Sequence, residues 1–586
     1  MSTATSTPGA VGDIGRGRAR RVRSDGRQKV RQDPTVRLLL LVIVLVLGLI
    51  VIYPIGSILS AGFSSEGLEV FRNLFSTVAS REIIVNTLTL GLIVGLTGTA
   101  VGFLLAFVQV RTRVRGKRVL HLLSLLPIVA PPFAVATSSI VLFGRNGVIT
   151  HQLLGRDWNI YGLPGLTLVL TLSFFPVAYM NMLGMMRSLD PSLDEAAASL
   201  GATKGRIFLT VTLPMLVPGI AASFLLLFVE AIADLANPLV IGGDFSVLAS
   251  RAYIAITADY NINAGAAYSL VLLVPALLVF LLQRYWVSRK SVVTVTGKPT
   301  GRAKPVEGLG SWIVCAVAWF VAALIVLIYG TVLVGGFARI LGVNNTLTLD
   351  NYKYVLFGLG QAAMVDTTVL ALISTPIAGV LGIVTAWLVS RKLRRFAGLL
   401  DFVGMLGMTV PGTVLGIGYA IAFNHPITVF GHQIMPALAG GGAVFSGAAA
   451  IVMVYVARSM PNGLRSGVAS LEQISGAIEE ASTSLGATGT QTFGKVTLPL
   501  IKPAMLSGLT YAFARAMTTL SPIIFITTPG VKIMTAQILA EVDVGRFGNA
   551  FAYCTILIVI VMVVILLLNL LVRDRSVMAR QLGGGF

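Results

Sequence analysis

The chain has 586 residues, 55% hydrophobic and only 12% charged, with 62 glycines and a formal net charge of +20. Soluble domains carry about 25% charged residues, so this composition excludes a water-soluble globular protein. The apolar runs are about 20 residues or longer, as membrane-spanning helices require, which excludes the short alternating segments of an outer-membrane barrel. The basic residues fall in short clusters between apolar runs, the pattern of cytoplasmic loops and not of a nucleic-acid-binding domain.

Residues 1–36 form a basic tail containing Arg16, Arg18, Arg20, Arg21, Arg23, Arg27, Lys29 and Arg31, expected to be a disordered cytoplasmic anchor. The apolar run from Leu38 is too long for the core of a secretory signal and lacks a clear cleavage site, so it reads as the first span. Twelve spans are expected, at roughly 37–60, 84–110, 119–143, 164–186, 215–241, 264–287, 311–338, 365–390, 399–423, 444–466, 500–526 and 547–572. With the N-terminus inside, the inside segments take most of the 44 Lys and Arg, with Arg458 and Arg465 counted in the inside cluster at 458–502. Both termini are then cytoplasmic. Cys315 and Cys554 lie in apolar runs without metal or disulfide spacing and are expected to be free thiols.

A Gly-, Pro- and Lys-containing linker at about 288–310 separates two six-span halves, 37–287 (core 84–287) and 311–572 (core 365–572), and residues 573–586 form a cytoplasmic tail. The halves repeat. The stretch from Asn86 to Leu90 resembles that from Asp366 to Leu370, basic clusters follow at 111–118 and 391–395, and Pro131 and Pro411 interrupt spans three and nine. Halves of six spans share one orientation, so the repeat is parallel and its pseudo-twofold axis runs along the membrane normal. The fold class is thus an all-α membrane protein of two pseudo-twofold-related six-helix halves.

Two polar segments on the inner side, Glu195–Pro214 and Glu480–Pro499, lie 285 positions apart. Asp190 and Pro191 start a short helix, Ser192 and Glu195 have capping-box spacing, and Asp194 and Glu195 sit at its positive end. Alanines keep one face slim, and Gly201 permits the left-handed residue that ends the helix. The second copy keeps Glu479, Glu480, Gly486, Pro499 and Pro503. Inside it, Gly489–Lys495 fits the first seven positions of a P-loop, but Val496 stands where Ser or Thr should hold Mg²⁺, and no strand precedes it, so nucleotide binding is not expected there.

On these motifs the chain resembles the fused, two-half permeases of binding-protein-dependent ABC importers. Their signature is Glu-Ala-Ala, three residues, Gly, nine residues, a hydrophobic residue, one residue, then Leu-Pro. It falls on Glu195, Ala196, Ala197, Gly201, Val211, Leu213 and Pro214. In the second half it falls on Glu480, Ala481, Gly486, Val496, Leu498 and Pro499, with Ser482 in place of the second alanine. The resemblance implies that each motif is a coupling helix docking on a separate homodimeric ATPase, which would hold the ATP and Mg²⁺. It also implies an extracytoplasmic substrate-binding protein, alternating access, and a multi-pass location in the bacterial inner membrane. The chain itself is then no enzyme and binds no cofactor. Because the first copy has the fuller capping signals and an intact Glu-Ala-Ala, the two helices are expected to dock with unequal strength.

The stretches Glu230–Pro238, Ala469–Ile474 and Tyr511–Pro522 are similar to ferric-iron uptake permeases, which implies ferric iron as substrate. A phosphorylated organic solute, a sugar phosphate or phosphonate, is the alternative within the same machinery. A secondary transporter would share twelve spans and a parallel repeat but leaves the paired motifs unexplained. Glu230 and Arg515 each lie 16 residues past the inner prolines Pro214 and Pro499, ~24 Å into the membrane at the α-helical rise. They are candidates for facing each other near the axis as part of an outer gate. The competing expectation is that each pairs within its own half or snorkels outward. Asp234, one turn on from Glu230, is a candidate for attracting a cation or for an interfacial position. His151, His425 and His432 fall in expected outer loops with no metal-site spacing.

Overall fold

A computed structural model describes residues 34–131, 133–156, 158–287, 308–393, 395–440 and 442–572. The basic tail up to residue 33, the linker residues 288–307 and the tail from 573 lie outside the described residues.

The first half comprises α1 (Pro34–Gly62), α2 (Ser65–Ser76), α3 (Val78–Arg111), α4 (Lys117–Val129), α5 (Phe133–Phe143) and α6 (Leu163–Ser188). It continues with the short α7 (Pro191–Ser199), then α8 (Lys204–Ala233), α9 (Ala236–Ile241), α10 (Leu248–Thr257) and α11 (Ile262–Leu282). The second half runs α12 (Leu309–Phe337), α13 (Asp350–Phe357), α14 (Gln361–Trp387), α15 (Ala397–Thr409), α16 (Gly412–Phe423) and α17 (Ala448–Gln473). It ends with α18 (Gly476–Ser484), α19 (489–518, whose main α segment is Leu498–Thr518), α20 (Met534–Asp543) and α21 (Phe547–Val572). The helices α6 to α8 recur as α17 to α19 in the 285-residue register.

Among the described residues nine helices are long and apolar enough to cross a membrane, ten if α15 and α16 count as one bent span. Of the twelve expected positions, the two outside that set are α17, which carries Arg458 and Arg465, and α19, which carries Lys502 and Arg515. The chain is an all-α membrane protein apart from two small hairpins absent from the sequence reading, Ala338–Ile340 with Asn344–Leu347 and Ile427–Val429 with His432–Met435. Phe430 and Gly431, at φ +51° and +80°, supply the paired left-handed residues that a two-residue hairpin turn demands.

The two interrupted spans break where a proline removes a donor and crowds the preceding turn. The residue before each proline is extended, Ala130 at ψ 148° and Val410 at ψ 130°, and α15 and α16 meet at 100°. The expected re-entry at Pro214 and Pro499 takes another form: each helix starts earlier, at Lys204 and at Gly489, and widens into a π turn just before the proline. Leu213 N donates to Phe208 O, and Leu498 N to Phe493 O. The wider turn moves the crowded carbonyl aside, so the helix passes the proline unbroken.

Each half is closed by the other. The leading helix α1 packs on α11 of its own half and on α16 of the second, where Tyr419 OH donates to Ile50 O at 2.6 Å. Reciprocally, α12 packs on α21 and on α5 of the first half. Within each half the cores close through small residues, as lipid-embedded helices require. A Cβ on Gly102 would meet Tyr179 N at 2.6 Å, and one on Gly382 would meet Met460 O at 2.8 Å. This packing fixes α8 and α19 beside the interface between the halves.

Candidate functional site

The two inner helices α7 and α18 are built alike. Asp190 caps α7, its Oδ1 accepting from Ser192 N at 3.0 Å, and Ser475 caps α18, its Oγ accepting from Ala477 N at 3.4 Å. The capping box expected from Ser192 and Glu195 does not form, because the chain enters the helix two residues earlier and Ser192 already lies inside it. Both helices end on a left-handed glycine, Gly201 at φ +82° and Gly486 at φ +87°, with Ala202 N donating to Ala197 O and Ala487 N to Ser482 O. A Cβ at either glycine would meet nothing within 4 Å, so it is the backbone conformation, not space, that requires glycine.

Glu195, Ala196, Glu480, Ala481, Pro214 and Pro499 are exposed, while Ala197, Leu213 and Leu498 are half-buried. Leu200 and Leu485, the residues just before the two glycines, are each 89% exposed, and Leu193 and Ile478 also face outward. Each helix thus presents small and apolar side chains on a polar surface, which is the composition of a docking face. The departure at Ser482 has a local cause: its Oγ hydrogen-bonds Thr492 Oγ1 at 3.0 Å. The equivalent residues of the first copy, Ala197 and Ile207, are both apolar.

A clasp that sequence reasoning missed ties each of α7 and α18 to its half. Arg111, at the inner end of α3, pairs with Asp194, which also accepts from Thr212 Oγ1 at 3.3 Å. Arg391 pairs with Glu479 at 3.5 Å, and Glu479 accepts from Thr497 Oγ1 at 3.1 Å. Arg391 further donates to Leu471 O at 2.6 Å and Ile474 O at 2.7 Å, anchoring the end of α17. The partners are 83 positions apart in the first copy. The only sequence signal was that each basic cluster and each acidic helix start recurs in both halves. The P-loop-like stretch Gly489–Lys495 is helical, a short α turn followed by a π turn, and forms no phosphate-cradling loop.

Between the halves lies a cavity of about 220 Å³, lined by Glu230 and Asp234 from the first half and by Arg458, Arg465, Tyr511 and Arg515 from the second. The structure brings Glu230 and Arg515 together across the interface, Arg515 Nη2 donating to Glu230 Oε1 at 3.4 Å. Asp234 is buried, and its Oδ2 accepts from Asn237 N at 3.0 Å and Asn237 Nδ2 at 2.9 Å, in the first turn of α9. Arg458 donates to Val410 O at 3.0 Å and, more weakly, to Gly407 O at 3.4 Å, the carbonyls freed by the break at Pro411. Its Nε is buried without a hydrogen-bond partner among the described residues. Arg458 and Arg465 therefore do not belong to an inner loop cluster, as their place in the sequence suggested. A count along the chain does not distinguish a loop cation from one on the inward face of a helix.

His151, His425 and His432 are exposed, but only His425 lies in a loop: His151 sits in the helical turn Val148–Leu153 and His432 opens a hairpin strand, and among the described residues no group of three or more His, Cys, Asp or Glu is placed to hold a metal ion. Cys315 and Cys554 are buried free thiols.

Comparison with known proteins bears on most of the chain. Residues 98–292 and 378–577 each match the family described as binding-protein-dependent transport system inner membrane component. The ferric transport system permease protein FbpB of Actinobacillus pleuropneumoniae is 34% identical over 569 residues, covering 92% of this chain and 79% of that protein. A Haemophilus influenzae protein provisionally named ferric transport system permease protein FbpB 1 is 33% identical over 522 residues, 84% of this chain and 78% of its own. The molybdenum transport system permease protein ModB of Escherichia coli K12 is 28% identical over 198 residues, 32% of this chain and 85% of its own.

Proposed function

Because the chain belongs to the binding-protein-dependent transport system inner membrane component family, matched once in each half, we propose that it forms the whole membrane pathway of an ATP-driven importer and takes its energy from a separate ATPase. The observation that carries this reading is the duplicated docking helix. The pairs Asp194 and Glu479, Thr212 and Thr497, and Gly201 and Gly486 recur at one spacing, and the two carboxylates are clasped by Arg111 at the end of α3 and Arg391 just past α14. Two equivalent arms on the inner face suit a homodimeric ATPase, one subunit per arm, with ATP and Mg²⁺ held there. The chain then contributes mechanical coupling and no catalytic group.

In this reading α7 and α18 transmit closure of the ATPase dimer, through the clasp arginines, to α3 and α14. These pack on the pathway helices α8 and α19 and alternate their access. The halves 37–287 and 311–572 act as the two moving bodies, and an extracytoplasmic binding protein delivers substrate at the outer side of the bacterial inner membrane. Glu230 and Arg515 form the outer constriction, holding the halves together until that delivery separates them. The names of the most similar relatives support ferric iron as the cargo.

The test is co-expression with the cognate ATPase. The ATPase should co-purify with the wild-type chain and be lost from a Gly201→Val, Gly486→Val double variant that still inserts in the membrane. Retention of the ATPase by that variant would remove the coupling role, and iron-independent growth of a deletion strain would remove the iron assignment.

A further inference from the structure

We infer that the cavity between the halves is an oxyanion site, so that cargo crosses this permease carrying net negative charge; the inference rests on the permease reading above. The cavity wall holds two carboxylates and three guanidiniums. Both carboxylates are already engaged. Glu230 is paired with Arg515, and Asp234 is occupied by both nitrogen donors of Asn237. Arg458 is held only by carbonyl oxygens and keeps a buried, unpartnered Nε, while Arg465 has no ion pair among the described residues. The neutral Asn237 amide leaves the charge of Asp234 in place, but the guanidiniums of the wall outnumber its carboxylates, so the net charge facing the cavity is positive.

The two arginines also form a path. Arg458 lies ~15 Å and Arg465 ~25 Å along α17 from its outer end at the α-helical rise. Arg515 lies on the neighbouring α19, toward its outer end. Charges placed so in a membrane face a bundle interior and mark what passes through it. A guanidinium offers a planar fork of donors matched to phosphate or carboxylate oxygens and keeps its charge when dehydrated. A bare trivalent cation would instead need free hard oxygen ligands and would be repelled by these groups at low dielectric. The shared chemistry is an oxyanion group. It can come from a phosphorylated organic solute or from a ferric ion wrapped in an oxyanion ligand.

The experiment uses the full importer in proteoliposomes, with its ATPase inside and its binding protein outside. One arm supplies ⁵⁵Fe³⁺ with inorganic phosphate, the other ¹⁴C-glucose 6-phosphate without iron. Arg458→Gln and Arg465→Gln should each lower uptake in the productive arm about 10-fold, the loss expected from removing a charge-assisted hydrogen bond. Arg458→Lys should restore most of it. Arg458 also braces the break at Pro411, so Arg465→Gln, which removes no described hydrogen bond, keeps the result readable if Arg458→Gln does not fold. Uptake within twofold of wild type in Arg465→Gln and in a folded Arg458→Gln would overturn the inference. So would wild-type transport of neither probe while the ATPase stays coupled. Failure of the wild-type chain to retain an ATPase at all would instead defeat the permease reading.

Discussion

In the first half Asp194 sits between Arg111 and Thr212, and in the second Glu479 sits between Arg391 and Thr497. Around the cavity the 285-residue register that relates Asp194 to Glu479 and Thr212 to Thr497 pairs unlike residues. Glu230 corresponds to Arg515, Ser173 to Arg458, Met180 to Arg465 and Asp234 to Thr519. The inner face is thus duplicated while the wall of the cavity is polarised, acidic on one side and basic on the other. The difference follows from where each set lies. Arms that meet identical partners, as the proposed function has them, gain from staying alike. Groups on opposite sides of a twofold axis face their own equivalents, and a strict dimer would set carboxylate against carboxylate or guanidinium against guanidinium. Joining the halves in one chain lets the equivalent positions diverge into the Glu230–Arg515 pair.

The widest break in that comparison comes from reversing one side. Arg515→Glu should set two acids together and lower uptake on the order of 100-fold, since stranding a half-buried charge costs several kcal/mol. The exchange Glu230→Arg with Arg515→Glu should bring uptake back to within about 10-fold of wild type. An exchanged protein no better than the single variant would show that the pair does not act as opposed groups across the axis.

Next in size are the turns that end the docking helices. Gly201→Val and Gly486→Val each place a β-branched residue in left-handed backbone, a strain of about 1–2 kcal/mol or more. Each should cut the ATPase retained in pull-down by about 10-fold, and by similar factors, because φ differs by only a few degrees between the two. Asparagine tolerates this conformation, so Gly201→Asn and Gly486→Asn should stay near wild type. Loss in the asparagine variants too would mean that the partner needs the bare backbone.

The clasps should separate the copies. Arg391 serves Glu479 and two carbonyls at the end of α17, whereas the described partner of Arg111 is Asp194 alone. Arg391→Gln should therefore destabilise the protein more than Arg111→Gln, by about 1–3 kcal/mol for the orphaned carbonyls. This reads as a lower thermal midpoint in detergent, and equal midpoints would show that the carbonyl bonds contribute nothing.

What could be read from the sequence follows the range of each interaction. Apolar length, prolines and the 285-residue register are local or periodic, so ten of the twelve expected spans (counting the bent pair as one), the breaks at Pro131 and Pro411 and the two short capped helices α7 and α18 were visible. The left-handed Gly201 and Gly486 were visible too, since only the end of a helix requires them. The clasps were not, because Arg111 and Asp194 meet only after α3 and α6 have packed. Arg458 and Arg465 were misplaced for a related reason: a charge on the inward face of α17 adds to the same count as one in a loop. The early start of α8 at Lys204 escaped because a π turn, which carries no sequence period of its own, takes the chain past Pro214.

The smallest expected effect tests how far the likeness of the arms extends. Glu195 lines a pocket of about 170 Å³ beneath α7 together with Lys204, Arg111 and Asp194, so cations of its own half stand on the same pocket wall. The residue equivalent to Lys204 in the second copy is Gly489, and Glu480 has no such cation beside it in the register. A partner surface with a cation at each arm would then feel Glu480 more strongly than Glu195. Glu480→Gln should lower ATPase retention about 3- to 5-fold and Glu195→Gln less than twofold, both within the range of exposed charge interactions. Raising ionic strength should shrink the gap, because exposed charges are screened over about 10 Å at 0.1 M salt. Equal losses, or a gap insensitive to salt, would mean that the two arms dock as true equivalents and that the asymmetry is confined to the cavity.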